Sequence, residues 1–295
     1  MTTPEFTSNR DNFCYRHPGR QSFVLCQRCL RTICPECQTQ GPVGVICPEC
    51  MKAQRKAQSP AQRRASRRWR GGAVAMAGRS GRPVVTYALL AVTAVIGLLQ
   101  LLPRVGGAIT DLLLFAAAYI YPDLSGAPFE PWRMLTVLFV HGGFIHLGLN
   151  MLALWMLGQI LEPMLGRGRY LALYLISGLG GSVAVALLAP GAPTVGASGA
   201  LFGMMAALLI IGRHLGANVT GILVVLVINF VFGLVVGGIS WQAHLGGVVV
   251  GALISLIYVR TRRREQRIWQ IALLAALTVV LLVVVEFVGR MLLLA

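Results

Sequence analysis

Charge is scarce in this sequence, and lysine is scarcer. Only 12% of the 295 residues are charged, and Lys52 and Lys56 are the two lysines. A chain that is 56% hydrophobic with a mean hydropathy of +0.71 is too apolar for an ordinary soluble domain and reads as a polytopic membrane protein. Carboxylates are also few, with 10 acidic residues against 26 basic ones and a formal charge of +16. The basic excess carries no stretch interleaved with aromatics, so nucleic-acid binding is set aside. Fifteen of the 26 basic residues precede Val84, and five more lie between Arg260 and Arg267. Beside apolar spans such clusters set topology and meet anionic lipid headgroups. The near-absence of lysine, with abundant Ala, Gly and Val, fits a GC-rich bacterial genome. The opening residues are polar and cysteine-rich, unlike a signal peptide.

Beyond Cys50 there is no cysteine. All seven lie between Cys14 and Cys50, and with His17 they form four pairs of one spacing: Cys14/His17, Cys26/Cys29, Cys34/Cys37 and Cys47/Cys50. Two ligands separated by two residues grip one metal through a tight turn, and thiolate with imidazole suits tetrahedral zinc. Eight ligands make two closed, structural sites. An interleaved arrangement gives Cys14, His17, Cys34 and Cys37 to one ion and Cys26, Cys29, Cys47 and Cys50 to the other, which resembles a B-box zinc finger. Sequential pairing into two knuckles stays open. A disulfide framework is disfavoured by the odd thiol count and a reducing location. So small a segment holds little core, and the two zinc ions are expected to supply much of its folding energy.

The expected organisation is a cytosolic double-zinc domain at 1–50, a basic flexible linker at 51–83, a six-span core at 84–260, and a basic loop with a seventh transmembrane helix at 261–295. Spans are expected at 84–102, 144–161, 170–189, 198–211, 219–236, 241–259 and 268–294. Arg167/Arg169, Arg213/His214 and the 260–267 cluster fall on one side if the N-terminus is cytoplasmic, as the positive-inside rule requires. The C-terminus is then outside, and the 103–143 loop is an outer element lying in the interface.

Polar residues inside spans are functional candidates. Ser198 opens the fourth span between Gly196 and Gly199, where a small residue also serves close packing. His244 begins the sixth span at a similar depth. His146 and Asn150, four apart, share one face of the second. No carboxylate lies in these helices, so a Ser198–His244 dyad is expected in place of a triad. Histidine would activate the serine for acyl transfer, and His146, Asn150 and the Ser198 amide would stabilise an oxyanion. Asp111, Asp123 and Glu130 lie in the 103–143 loop and are not read as a third member.

Trp132-Arg133, His141-(four residues)-His146-(three)-Asn150, Gly196-Ala197-Ser198-Gly199 and Ala243-His244-Leu245-Gly246-Gly247-(three)-Gly251 together resemble the rhomboid intramembrane serine proteases. The resemblance implies an all-α six-helix core, with the seventh helix an addition. It implies Ser198 as nucleophile, His244 as base, His146, Asn150 and the Ser198 amide as oxyanion hole, and Gly196 giving access. It also implies membrane-spanning protein substrates and no catalytic cofactor, with Phe202 packed on the base. Glu162 and Arg169 match a structural segment, and His141 a position lining the outer cavity. The zinc domain lies outside the resemblance and is expected to dock a cytosolic protein or regulate access. The chain is expected in a bacterial plasma membrane. A catalytically inactive rhomboid-like client binder is the competing reading; intact Ser198 and His244 argue against it. A transporter is disfavoured by the lack of internal symmetry.

Overall fold

The computed structural model describes residues 9–40, 44–57 and 82–294. The chain divides into two compact units, Met1–Arg68 and Trp69–Ala295. The expected basic linker falls mostly at 58–81, outside the described residues, as do Arg63, Arg64, Arg67, Arg68 and Arg70.

In the first unit, two small antiparallel ladders pair β1 (Phe13–Cys14) with β2 (His17–Gln21) and β3 (Thr39–Gln40) with β4 (Val45–Ile46). Helix α1 (Pro48–Ala57) follows, so the helix holding Cys50 runs past the expected boundary at residue 50. Its buried interior is largely sulfur: Cys14, Cys26, Cys34, Cys37 and Cys47 surround Ile33. Among the described residues of this unit, the side chains under 3% exposed are Ile33 and five cysteines, with Ser22 and Thr32 somewhat less buried.

The second unit is a helical bundle. Among the described residues, four helices are long and apolar enough to cross a bilayer: α6 (Phe144–Leu165), α7 (Arg167–Leu188), α10 (Trp241–Arg260) and α11 (Arg267–Leu294). Three shorter apolar helices complete the seven expected spans: α2 (Val84–Gln100), α8 (Ser198–His214) and α9 (Thr220–Val235). Short helical pieces α3 (Gly106–Leu113), α4 (Pro122–Ser125) and α5 (Arg133–Thr136) fold the loop between α2 and α6. Each span lies within a few residues of its expected place.

Helices α7, α8 and α10 form the centre of the bundle. Small residues make this packing close: a Cβ at Gly247 of α10 would overlap the Gly199 carbonyl of α8. Apolar burial cannot by itself drive such contacts in lipid, so close backbone approach and polar pairing carry them. Ser182 Oγ donates to the Met134 carbonyl at 2.8 Å, joining α7 to α5. At the far end of the bundle, Glu162 is 3% exposed and caps α2. Its carboxylate accepts from the amides of Val85 (3.0 Å) and Thr86 (2.7 Å) and from the Thr86 hydroxyl (2.7 Å). A carboxylate there satisfies orphan donors and complements the positive end of the helix.

Candidate active site

Helix α8 begins directly at Ser198, with Ala197 as its cap residue. The preceding loop is held by three backbone bonds. Phe115 and Thr194 exchange amide–carbonyl bonds of 3.1 and 2.7 Å, and the Gly196 amide donates to the Val137 carbonyl at 3.0 Å. Seventeen residues make α8 only about 25 Å long, shorter than the ~30 Å hydrocarbon core. Its first turn carries amides with no intrahelical acceptor, and the Ser198 N–H is one of them.

His244, on the first turn of α10, is 5% exposed, and its Nε2 lies 3.0 Å from Ser198 Oγ. The close passage of α8 and α10 at Gly199 and Gly247 sets this distance. The imidazole stacks on Phe202, one turn beyond Ser198, with ring centroids 4.0 Å apart and planes 9° from parallel. On its other edge α9 approaches through Gly233, where an added Cβ would stand 3.1 Å from Nδ1. Nδ1 is buried and has no hydrogen-bond partner among the described residues. None of the three loop carboxylates bonds to it, and two are paired elsewhere: Glu130 with Arg133, and Asp123 with Arg290.

His146 enters from α6. Its Nδ1 accepts from the Gly142 amide at 3.3 Å, which assigns the proton to Nε2 and makes that nitrogen a donor. Nε2 faces Gly196: a Cβ built there would lie 2.8 Å from it. Gly196 has φ +119°, a conformation that suits glycine, so the residue is required both by its backbone and by the imidazole beside it. Asn150 is 6% exposed and donates from Nδ2 to the His146 carbonyl at 2.8 Å, leaving its second N–H available. Ser198, His244, His146, Asn150 and Gly196 thus belong to elements that converge at one end of the bundle.

His141 stands behind this group. Its ring meets that of His146 edge-on at 5.1 Å, and its Nε2 accepts weakly from the Ala197 amide at 3.5 Å. It lines a cavity of about 320 Å³ with Gln100, Thr110 and the 142–144 turn. Gln100 was not singled out by the sequence, yet its side chain clasps the His141 backbone, donating to the carbonyl at 3.1 Å and accepting from the amide at 3.0 Å. A lone glutamine ending an apolar helix was the available signal.

In the other unit the ligand atoms gather as two interleaved sets, Cys14/His17/Cys34/Cys37 and Cys26/Cys29/Cys47/Cys50. Within each, the donors lie within 4.8 Å of one another. Cys29 and Cys47 sulfurs are 3.8 Å apart, which is the edge of a tetrahedron with ~2.3 Å zinc–sulfur bonds. His17 Nδ1 is 3.3 and 3.4 Å from the sulfurs of Cys34 and Cys37. Burial raises the Cys14 thiol, but the backbone amides of Cys34 and Arg16 outweigh it and bring it down to about 6. Burial and the neighbouring sulfurs of Cys14 and Cys34 push Cys37 up to about 11. So many thiolates cannot share one site without a cation, and a four-ligand sulfur-rich set fits zinc. Zinc there would hold the two strand pairs together.

The fold and the site together define a multi-pass helical membrane protein with a buried imidazole against a half-buried serine among its helices. The chain belongs to the rhomboid family: the family model described as "Rhomboid domain" matches residues 128–261. It is 31% identical over 192 residues to YdcA, a rhomboid-family relative from Bacillus subtilis (strain 168), covering 62% of this chain and 92% of that protein. It is 36% identical over 181 residues to "Rhomboid protease GluP" of the same organism, covering 59% of this chain and 34% of GluP. "RHOMBOID-like protein 4" of Arabidopsis thaliana is 40% identical over 134 residues, 43% of this chain and 34% of that protein. The chain therefore spans about a third of the length of the last two relatives. The expected membership and all-α membrane architecture are borne out.

Proposed function

We propose that this chain is a serine endopeptidase that cuts membrane-spanning proteins, with Ser198 as nucleophile and His244 as general base. The observation that carries the reading is the 3.0 Å contact between His244 Nε2 and Ser198 Oγ at the start of a short apolar helix. Relatives named as proteases support the reaction class. In the first step His244 Nε2 takes the hydroxyl proton while Ser198 Oγ bonds to the scissile carbonyl carbon. The displaced electron pair settles on the carbonyl oxygen, where the Ser198 amide, His146 Nε2–H and the free N–H of Asn150 receive it. Collapse breaks the carbon–nitrogen bond, and His244 returns the proton to the leaving nitrogen. A water, deprotonated by His244, then releases the acyl group and restores Ser198. Gly196 leaves the approach to the hydroxyl open. These steps call on no cofactor.

The domain scheme 1–50, 51–83, 84–260 and 261–295 is part of the proposal. So is a bacterial plasma-membrane location with a cytoplasmic N-terminus and an external C-terminus. Two structural zinc ions, anionic lipid contacts through the basic linker, and a cytosolic partner for the zinc unit complete it. The test is cleavage of a membrane-anchored reporter in proteoliposomes. Ser198→Ala and His244→Ala should each abolish it while leaving the protein folded, and a fluorophosphonate should label the wild type but not Ser198→Ala. Wild-type cutting by either variant, or equal labelling, would refute the assignment.

A further inference from the structure

The helix beyond the six-helix core is fixed at both ends. At one end Gln270 of α11, 3% exposed, accepts from Arg169 Nε at 2.7 Å and donates to the carbonyl (3.1 Å) and hydroxyl (2.7 Å) of Thr261. At the other end α11 meets the loop between α2 and α6. Tyr121, 1% exposed, donates its hydroxyl to the Val285 carbonyl inside α11. That carbonyl lies beneath Gly289, and a Cβ at Gly289 would collide with the tyrosine oxygen. One residue further, Arg290 bridges Asp123 of the loop and Glu286 of its own helix, the latter at 2.9 Å. Most of α11 is exposed, while Leu274, Leu277, Leu281 and Val284 pack one stripe of it against the bundle core between these two ends.

Tyr121 belongs to a tightly bonded stretch. The single hydroxyl proton of Ser125 is shared between the carbonyls of Ala118 (2.7 Å) and Tyr121 (2.8 Å), and the Glu130 amide donates to the Tyr119 carbonyl (2.9 Å). The Arg133 guanidinium lies 3.9 Å above the Tyr119 ring, pairs with Glu130, and donates to the carbonyls of Asp111 and Leu114. Next to Leu114 is Phe115, fully buried, whose backbone is paired with Thr194. Thr194 stands two residues before Gly196 and four before Ser198.

We infer that the Val285–Arg290 end of α11 is a positioning clamp for the nucleophile loop, acting through Tyr121, the Arg133 knot and the Phe115–Thr194 bridge. The inference rests on the serine-hydrolase reading for its effect on rate, and it makes Tyr121 and Gly289 positioning residues that touch no substrate. Buried hydroxyl-to-carbonyl bonds and a glycine gap resist small displacements because a packed contact either closes or opens. A misplacement of about 1 Å among reacting groups can cost ~10²-fold in rate, so a small displacement of the Gly196 loop matters.

The test uses the full chain in detergent micelles. Gly289→Leu wedges Tyr121 away, Tyr121→Phe removes only the hydroxyl, and Val283→Leu on the exposed face of α11 is the control. The readouts are the rate constant and the endpoint of fluorophosphonate labelling, and amide hydrogen exchange of the 192–199 loop. Gly289→Leu should lower the labelling rate constant by roughly tenfold at an unchanged endpoint and speed exchange in the loop. Tyr121→Phe should do both to a smaller degree, and Val283→Leu neither. If Gly289→Leu lowers only the endpoint or the melting temperature, with rate constant and loop exchange as in wild type, α11 is a brace and the clamp is wrong. If wild-type labelling does not map to Ser198, the hydrolase reading fails, while loop exchange still decides whether the clamp exists.

Discussion

Gly196→Ala is the sharpest probe of the proposed oxyanion hole, because one methyl group perturbs two independent features. The first is backbone conformation. At φ +119° an L-residue is outside even the left-handed helical region, which costs on the order of 1–3 kcal/mol of stability. The second is contact. The new Cβ would stand 2.8 Å from Cε1 and Nε2 of His146, so one side must yield by about 0.7 Å to reach an ordinary ~3.5 Å separation. His146 is half-buried and tethered through Nδ1 to Gly142, so its ring rotates away from the site. Complete loss of one oxyanion donor is worth about 2.7–4 kcal/mol, or 10²–10³ in rate. A displaced donor should fall below that ceiling, at roughly tenfold or more. The assay is reporter cleavage in proteoliposomes beside thermal unfolding. Gly191→Ala, in the same loop with nothing within 4 Å of its Cβ, serves as control and should behave as wild type. A double-mutant cycle separates the two causes: in a His146→Ala background, Gly196→Ala should cost stability but little further rate. Gly196→Ala cutting at the wild-type rate would refute the placement of His146 as a donor.

Removing the cap on α2 with Glu162→Ala leaves the amides of Val85 and Thr86 and the Thr86 hydroxyl without their acceptor. Thermal unfolding in detergent should show a loss of about 1–3 kcal/mol, with the labelling rate constant of the folded fraction unchanged. Gly247→Ala drives a methyl into the Gly199 carbonyl, one residue from Ser198. It should cost about 1–3 kcal/mol and slow labelling as well, since the same helix contact sets the Ser198–His244 distance. Metal analysis of the intact chain should find about two zinc per molecule. Chelation should abolish the circular-dichroism and exchange protection of residues 9–57 while leaving fluorophosphonate labelling in place; an unchanged, protected segment after chelation would refute the zinc reading.

What could be read from the sequence was whatever local chemistry determines. Apolar runs marked seven helices, and four of them have the length and hydropathy that crossing a bilayer demands. Their ends moved for identifiable reasons. Helix α6 continues to Leu165 through Pro163, beyond the expected 161, and so carries Glu162 to the start of α2. Helix α7 starts at Arg167, earlier than expected, because Arg167 is exposed and the Arg169 head group is taken up by Gln270, so neither charge is left unpartnered in the apolar layer. The four Cys/His pairs were plain from spacing, but spacing left interleaved and sequential pairing open, and only the chain path brings Cys14 and His17 to Cys34 and Cys37. Least legible was the loop between α2 and α6. The Phe115–Thr194 bridge and the Tyr121–Val285 bond join residues far apart in the chain, and no periodicity announces such contacts.

The missing carboxylate has a structural counterpart. In a triad an acid fixes the imidazole's tautomer and rotation through Nδ1. Here Nδ1 of His244 is buried beside a glycine, and neither Asp111, Asp123 nor Glu130 reaches it. Orientation falls instead to apolar geometry: Phe202 lies flat against one face of the ring, and α9 closes on its edge at Gly233. A charged third member at that depth would carry a desolvation cost that stacking avoids. Packing can hold a ring plane but cannot dictate which nitrogen carries the proton. The proposed base therefore depends on Ser198 itself, whose hydroxyl donates best to an unprotonated Nε2 and so selects the tautomer that its own activation requires.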